Sequence, residues 1–453
     1  MTVVAALLAA SSWAGAQDDE EAEEGYFDEF AEAIADSMAP RWGGPRVDWP
    51  ERRPRPVAMG ATASSLHPVN VHVGPTAHPD LALAVLDGLE MAHGWLETNG
   101  WPTAPPDGGY GGTPGFDLYL MRDAAREGRM IWTSWDTPLL WGGLDAVTSF
   151  AVLDADAPPD RAQACAVDAY VQASLLSRDP AEAEAWRVAT GTYVAWLLTG
   201  HWGCGEGMGA HQQAPSRGWV TDAPDSGEGG GLFLAMLSAR TDGLTGDFIR
   251  DLWTGAPQLT WEGDRLRAAP DMWQVIYTVM EVGQDPLPQL IEEMSVARFF
   301  AGSEARRVGA PMGVVRALPA DAEVPLVGTT SWGELPRRYE PNGLELEPFG
   351  SAYLLVDTSD APAGSVLRIW MRGEYGVGWS LIAVRLGADG RERGRVRAPV
   401  RPRTPRSYIP LELTDDETER VLVVVTNMGG RLPDADEPEE MLRAFRLILD
   451  KSE

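Results

Sequence analysis

The hydrophobic period of this chain changes after Glu323. Before that residue, apolar side chains recur at helical spacing, for example in "HPDLALAVLDGLEMAHGWLETNG" (78–100), and strand-like runs lie between the helices. After it, short apolar runs alternate with a period of two and are separated by Gly, Pro and Asp turns. We therefore predict an α+β fold in which a mixed domain at 66–306 is followed by an antiparallel β-sandwich at 323–453.

The same patterns locate the main elements. Strands are predicted at 67–75, 116–121 and 148–155, and helices at 78–100, 159–178, 179–200, 231–240, 246–255, 270–283 and 286–302. Within the sandwich, the run "VLRIWMR" (366–372) places Leu367, Ile369 and Met371 on one face. It places Arg368, Trp370 and Arg372 on the other. The face of Leu367, Ile369 and Met371 is expected to point into the core.

Composition limits the kinds of partner. The 453 residues are 44% hydrophobic, which is enough for a sizeable core. Asp and Glu number 67 against 37 Lys and Arg, so the formal net charge is −30. Such a surface repels nucleic acids and anionic lipids, and neither is expected as a partner. Beyond the N-terminus, no stretch of sequence approaches the roughly 18 apolar residues of a membrane span.

The N-terminus has features of a secretory signal. Residues 1–16 contain an apolar stretch that ends in a small-x-small cleavage pattern, although no basic residues precede it. We therefore expect an exported protein, either periplasmic or extracellular. Residues 17–65 form an acidic segment and a connector rich in Pro and Arg. The arginines of this connector either lie against the acidic body of the protein or belong to a flexible linker.

The chain has two cysteines, Cys165 and Cys204. In an exported protein an even pair favours a disulfide, which here would join a predicted helix to the loop "TGHWGCGEG" (199–207). The alternative is a nucleophilic thiol at Cys165. That alternative is less favoured, because the thiol would lie inside a helix with no histidine nearby in the sequence.

The order of elements between residues 66 and 302 resembles that of a zincin-type metallopeptidase. The resemblance is carried by the Gly-rich loop and strand "GGTPGFDLYL" (111–120), the strand "SFAVLDA" (149–155) and the two helices that follow. The chain is most similar to the secreted proteins of myxobacteria and related bacteria that are classed as metalloproteases. The resemblance implies a zincin-like domain with an attached β-sandwich, and it places the metal-binding motif on the helix at 159–178.

A zincin binds Zn²⁺ through two histidines four residues apart, and the glutamate after the first histidine polarises the metal-bound water. In one register, Cys165, Ala166 and Ala169 take the positions of the first histidine, the glutamate and the second histidine, with Gln172 just beyond. In the other register, Asp168 and Gln172 take the histidine positions, and Ala169 takes that of the glutamate. Both registers lack the general base and the imidazole ligands.

The region implied for the third ligand, "WRVATGTYVAW" (186–196), also lacks Glu, Asp and His. We therefore predict no catalytic residues and no cofactor at this site. The favoured interpretation is an exported, catalytically inactive metallopeptidase-like protein that binds a peptide or protein partner. Zincin substrates lie along an edge strand, and the strand at 148–155 is predicted to be that edge, where a peptide can be bound by strand addition.

One alternative keeps an active site. In this interpretation the chain is a metal-dependent peptidase or hydrolase that holds zinc through non-standard ligands. The candidate ligands are Asp168, His201, Glu206 and His211, and they require the Gly-rich loop to fold over the helix of Asp168. This arrangement is testable, because zinc–ligand bonds are close to 2 Å long.

A second alternative assigns the function to the sandwich. In this interpretation the protein is a surface- or carbohydrate-binding component of the cell envelope. Exposed aromatic side chains in a row would be its signature, and Trp370 and Trp379 are the candidates. Core packing is the competing explanation for both residues.

Other histidines lie near the first strand and helix. Glu90, His93 and Glu97 fall on one face of the helix at 78–100, but a carboxylate-bridged metal site needs a matching motif on another helix. We therefore expect them to form an ordinary solvated face with i,i+4 pairing. His72 is expected to face outward from its strand and to be structural.

Overall fold

The computed structural model describes residues 46–47, 51–75, 78–125, 129–139, 146–204, 207–220, 227–256, 266–267, 270–283, 286–302, 313–318, 322–340, 344–400, 405–413, 418–430 and 442–452. These residues form both helices and β-sheets, which confirms the α+β class. The predicted signal peptide at 1–16 and the acidic segment after it lie outside them. No helix among them has the length and apolar character needed to cross a membrane.

The elements follow the predicted order. The helices are α1 (Pro79–Thr98), α2 (Ala162–Leu175), α3 (Glu184–Thr199), α4 (Gly207–Gln213), α5 (Gly230–Thr241), α6 (Asp247–Gly255), α7 (Met272–Val282) and α8 (Leu287–Phe299). The strands are β1 (Arg46–Val47), β2 (Gly60–Ala63), β3 (Val69–Val73), β4 (Phe116–Met121), β5 (Ile131–Pro138), β6 (Val147–Asp154), β7 (Leu266–Arg267), β8 (Gly328–Ser331), β9 (Arg337–Tyr339), β10 (Ser351–Asp357), β11 (Val366–Gly373), β12 (Gly378–Leu386), β13 (Glu392–Val400), β14 (Arg406–Glu412), β15 (Arg420–Gly429) and β16 (Phe445–Ser452). Helix α3 begins later than predicted, because the Asp179 side chain accepts the backbone N–H groups of Ala181 and Glu182 and holds that stretch in a turn.

The first sheet has the strand order β2-β3-β4-β6-β5. Strands β3, β4 and β6 run parallel, and β2 and β5 pair antiparallel at its two sides. The prediction that the strand at 148–155 is the edge is therefore wrong. That strand is β6, which lies between β4 and β5 and is buried along its whole length. The edges are β2 and β5, and the sequence patterns predicted neither strand.

Helix α2 lies at the centre of the first half of the chain. Of its 14 residues, 13 are buried, so it is surrounded by protein on all sides. Helix α1 approaches it closely at Gly88, where an added Cβ would lie 2.6 Å from the carbonyl oxygen of Gln163. The predicted disulfide between Cys165 and Cys204 is present and joins α2 to the loop after α3. A thiol nucleophile at Cys165 is thereby replaced by a structural cross-link.

The C-terminal strands form two sheets, with the orders β13-β12-β15-β10-β8 and β14-β11-β16-β9. They share one hydrophobic core, as a sandwich does. The alternation predicted for 366–372 is confirmed, since Leu367, Ile369 and Met371 are buried in that core and Arg372 is exposed. Strand β8 departs from the antiparallel prediction, because it pairs parallel with β10.

The five-stranded sheet is covered on both faces. One face packs on the second sheet, and the other packs on the helical region. Across this second contact the Tyr353 hydroxyl donates to the carbonyl oxygen of Ser295 at 2.7 Å, and the rings of Phe349 and Trp273 are 5.1 Å apart. This double coverage explains why β15 is almost entirely buried rather than alternating.

The face of the first sheet opposite α1 and α2 is covered by residues 51–58. Arg55 of this segment inserts its guanidinium among three buried carboxylates. It lies 2.7 Å from Asp107 Oδ2 and 2.5 Å from Asp136 Oδ2, and it also contacts Asp117. Its carbon Cζ lies 5.0 Å from the centre of the Phe150 ring, within cation–π range. This arginine of the connector therefore lies against the acidic body, as one of the two predictions states.

His72 joins the same cluster. Its Nε2 lies 2.8 Å from Asp117 Oδ1. Burial alone would raise the pKa of Asp117, but the contacts with His72 and Arg55 lower it below its ordinary value. His72 is on the outward face of its strand, as predicted, yet only 6% of it is exposed, because residues 51–58 cover that face. This buried contact with Asp117 agrees with the prediction that His72 is structural.

We predict that Arg55→Met destabilises the protein strongly. The substitution leaves three buried carboxylates without their cation, and removal of one partner from a buried ion pair typically costs about 3–5 kcal/mol. Urea unfolding followed by tryptophan fluorescence measures the change in unfolding free energy. The matched control is Arg52→Met, which removes an arginine that stacks on Trp135 and is expected to cost about 1 kcal/mol or less. Equal losses for the two variants would contradict this account of the cluster.

Candidate functional site

Asp168 and Gln172 form a hydrogen-bonded pair on one face of α2. They are four residues apart, so they lie one helical turn from each other. The Gln172 side-chain amide donates to Asp168 Oδ1 at 2.8 Å. Asp168 is 1% exposed and Gln172 is 3% exposed. The two positions that one register assigns to metal-binding histidines are thus occupied by a buried carboxyl–amide pair.

Backbone from two neighbouring segments lies directly on this carboxyl group. A Cβ added to Gly191 of α3 would lie 2.1 Å from Asp168 Oδ1, and one added to Gly203 would lie 2.3 Å from Oδ2. Thr192 Oγ1 also points at Oδ2, at a distance of 3.5 Å. Only glycine allows such close approach of the chain. The carboxyl oxygens are therefore occupied by protein contacts and do not face an open cleft.

The electrostatic setting of Asp168 opposes a role as ligand or base. Burial raises its pKa well above the ordinary value, and the negative charge of Glu228 raises it further. The hydrogen bonds from Gln172 and Thr192 act in the opposite direction but are outweighed. The environment favours the protonated acid, which is neither a metal ligand nor a proton acceptor. Asp168 is therefore suited to a structural hydrogen bond.

The remaining positions of the two registers carry no ionisable group. Cys165 is held in the disulfide. Ala166 packs against α1, since its Cβ would lie 2.8 Å from a Cβ added to Gly88. Ala169 is fully buried in the hydrophobic core. None of these three side chains can donate, accept or transfer a proton.

The alternative zinc ligands lie in different surroundings. His201 is exposed just after α3, whereas His211 of α4 is fully buried beneath Gly229. Burial lowers the pKa of His211 well below its ordinary value, and Arg298 and Arg217 add to the effect. Glu206 lies outside the described residues. Among the residues that the structure describes, Asp168, His201 and His211 do not converge into a group of metal ligands.

A different set of ligand types does converge. Among the described residues, one group of three His, Cys, Asp or Glu side chains has ligand atoms that all lie within 4.8 Å of one another, and it consists of His67, His93 and Glu97. The prediction of an ordinary solvated face is wrong for His93, which is 7% exposed and hydrogen-bonded through Nδ1 to the Tyr170 hydroxyl at 2.6 Å. Gly94 lies inside a helix, and it is the one local sequence feature that indicates the close approach of His67 to α1.

The aromatic candidates of the sandwich do not form a row. Trp379 is fully buried, and its indole N–H donates to the carbonyl oxygen of Glu374 at 3.1 Å. Trp370 is half-buried on the outer face of the second sheet and stacks on Tyr408, with ring centres 5.0 Å apart. Core packing explains the first residue, and a cross-strand pair explains the second.

Comparison with protein-family models and with curated proteins gives no match for this chain. The features of the molecule that bear on its function are therefore the closed α2–α3 site, the β5 edge of the first sheet and the clusters around Arg55 and His93.

We predict that Asp168→Asn stabilises the protein more at pH 8 than at pH 5.5. The folded-state pKa of Asp168 is raised, so its contribution to stability is fully present below the unfolded-state pKa and is lost as the pH rises towards the folded-state value. Each pH unit between the two values costs the wild type about 1.4 kcal/mol, and the amide avoids this cost. Thermal unfolding at both pH values measures the difference.

The matched control is Asp87→Asn, which changes an exposed aspartate of α1. Its effect on stability is expected to be small and nearly the same at the two pH values. If the stability gained by Asp168→Asn were equally independent of pH, Asp168 would not be a buried carboxyl with a raised pKa.

Proposed function

We propose that this chain is an exported, catalytically inactive protein of zincin-like architecture that binds an extended peptide segment of a partner along β5. The observation that carries the proposal is the enclosure of Asp168 and Gln172 by the backbone at Gly191 and Gly203. A site packed in this way has no position for a metal-bound water, and the motif positions supply no general base. The proposal therefore requires no cofactor between α2 and α3.

Several features of the fold support the zincin-like part of the proposal. The first sheet has parallel inner strands and an antiparallel edge strand, and it is followed by two packed helices, α2 and α3. The helix predicted to carry the metal motif, α2, packs on β5 and β6 of this sheet. The disulfide supports export, because such bonds persist mainly in oxidising compartments.

The hydrogen-bonding pattern of β5 supports binding at the edge. The Asp154 N–H donates to the carbonyl oxygen of Met130, while Ile131 lies opposite Leu153. In an antiparallel pair this places Ile131 and Thr133 at positions where the backbone groups point away from β6. Such groups can pair with an added strand. Among the described strands, β5 pairs only with β6.

The charge of the protein indicates the chemistry of the partner. A formal net charge of −30 produces a negative potential that attracts cations over a long range. An extended segment with alternating apolar and basic side chains is the type of peptide that fits both the edge and this potential. Backbone hydrogen bonds would supply affinity, and the basic side chains would favour encounter and exclude acidic segments.

The alternative of an active hydrolase is less well supported. Its proposed ligand Asp168 is enclosed and favours the protonated form, and His201 and His211 lie in an exposed and a buried setting, respectively. The carbohydrate-binding alternative is also less well supported, because its candidate residue Trp379 is buried in the core and cannot contact a sugar. Strand addition at β5 needs neither a metal nor an aromatic platform.

We predict that Thr133→Pro weakens peptide binding at least about tenfold. Proline removes the outward N–H and its ring obstructs an approaching strand, while a position whose N–H faces away from the sheet tolerates proline. A synthetic array of decapeptides that vary in charge and hydropathy is first probed with the labelled protein. The best peptides are then measured by fluorescence anisotropy against the wild type and the variant.

Thr133→Val is the matched control, because it keeps the N–H group and the branched shape of the side chain. Its affinity for the peptides is expected to equal that of the wild type, and mass spectrometry is expected to find the peptides uncleaved. Failure of every peptide to bind, or equal affinity of the proline variant, would refute binding at β5. Cleavage that is lost in Asp168→Asn would refute the inactive assignment.

A further inference from the structure

The turn before β3 and helix α1 bring two imidazoles and a carboxylate together outside the α2–α3 site. His93 and Glu97 lie one helical turn apart on α1, and His67 faces them from the turn. The imidazole ring centres are 4.7 Å apart. The ligand atoms of the three side chains all lie within 4.8 Å of one another. The ligand atoms of a tetrahedral zinc ion are about 3.4 Å apart, so side-chain movements of about 1 Å close this group on an ion.

The turn is fixed on α1 by contacts that do not involve these three side chains. Ser64 Oγ donates to Glu90 Oε1 at 2.5 Å. The same hydroxyl oxygen accepts the backbone N–H of Leu66 at 2.9 Å and that of His67 at 3.1 Å. These bonds hold His67 over α1, so the ligands are preorganised by the protein itself.

Gly94 allows the imidazole of His67 to approach the helix. A Cβ at this position would lie 3.3 Å from His67 Nε2, closer than ordinary van der Waals contact. A glycine in the interior of a helix is destabilising relative to alanine. The close approach of His67 gives this glycine a structural reason, and it is an observation independent of the ligand types.

The ring of His93 is oriented by a second layer of contacts. Its Nδ1 lies 2.6 Å from the hydroxyl of Tyr170, a buried residue of α2 whose oxygen also accepts a backbone hydrogen bond from Ala104. When the hydroxyl oxygen accepts the Nδ1 proton, the Nε2 lone pair is available for a cation.

We propose that His67, His93 and Glu97 bind one zinc ion, with water as the fourth ligand. Two imidazoles and a carboxylate suit a borderline transition metal, whereas Ca²⁺ and Mg²⁺ prefer sites made of oxygen ligands. Three protein ligands leave one coordination position open, and the exposure of Glu97 places that position at the surface. This site is separate from the proposed peptide edge and does not depend on that function.

Isothermal titration of metal-free protein with Zn²⁺, in excess Mg²⁺ to suppress weak binding to the acidic surface, tests the proposal. The wild type is expected to bind one ion per chain. Glu97→Gln and His67→Ala are each expected to raise the dissociation constant at least about tenfold, since loss of an outer contact alone typically costs 10–100-fold. Glu97 is exposed, so its substitution leaves folding unaffected, which circular dichroism checks.

His201→Ala is the matched control, because it removes an exposed histidine outside the group. Its zinc affinity is expected to equal that of the wild type. The visible spectrum of the Co²⁺-substituted protein gives a second measurement. Intense d–d bands indicate tetrahedral coordination of the ion, and they should disappear in His67→Ala. Absence of binding by the wild type, or a loss of affinity in His201→Ala but not in Glu97→Gln, would overturn the proposal.

Discussion

The burial of α2 is the constraint on which the rest of the first domain depends. A helix enclosed on all sides must be approached closely by each neighbour, and the sequence meets this requirement at specific small or cross-linked positions. Gly88 of α1 and Gly191 of α3 allow the backbones of these two helices to lie close to α2. The disulfide between Cys165 and Cys204 fixes the loop after α3 on α2. The buried polar side chains of α2, among them Asp168, Gln172 and Tyr170, are satisfied by hydrogen bonds within the protein.

This packing is not compatible with the zinc-dependent chemistry that the resemblance to zincin-type metallopeptidases implies for α2. In a metallopeptidase, the corresponding helix needs an open face for the metal, the water and the substrate. Here that face is occupied by α3 and by the segment at Gly203, so interactions with other molecules must use other surfaces. The edge strand β5 and the His67–His93–Glu97 group are the two surfaces that we propose for such interactions. Arg55 covers carboxylates on the outer face of the same sheet, and β5 is one of the two edges of that sheet.

Local patterns were sufficient for most of the fold. Alternation placed the buried side chains of β11 correctly, helical spacing located α1, and the cysteine pair predicted the disulfide. The failures concern contacts between distant residues. Strand β5 mixes Trp, Thr, Ser and Asp, and its role as the edge depends on its pairing with β6. Likewise, neither the insertion of Arg55 nor the approach of His67 to His93 leaves a periodic signal, and only Gly94 indicated the latter.

The central claim is that the α2–α3 site is closed to metal, and that a metal ion binds at α1 instead. Anomalous diffraction at the zinc absorption edge, from crystals of the whole protein grown with Zn²⁺, tests this claim most directly. The account predicts an anomalous peak between His67, His93 and Glu97, and none beside Asp168. A peak coordinated by Asp168, together with His211 or Glu206, would contradict it and would restore the α2–α3 site as a metal centre.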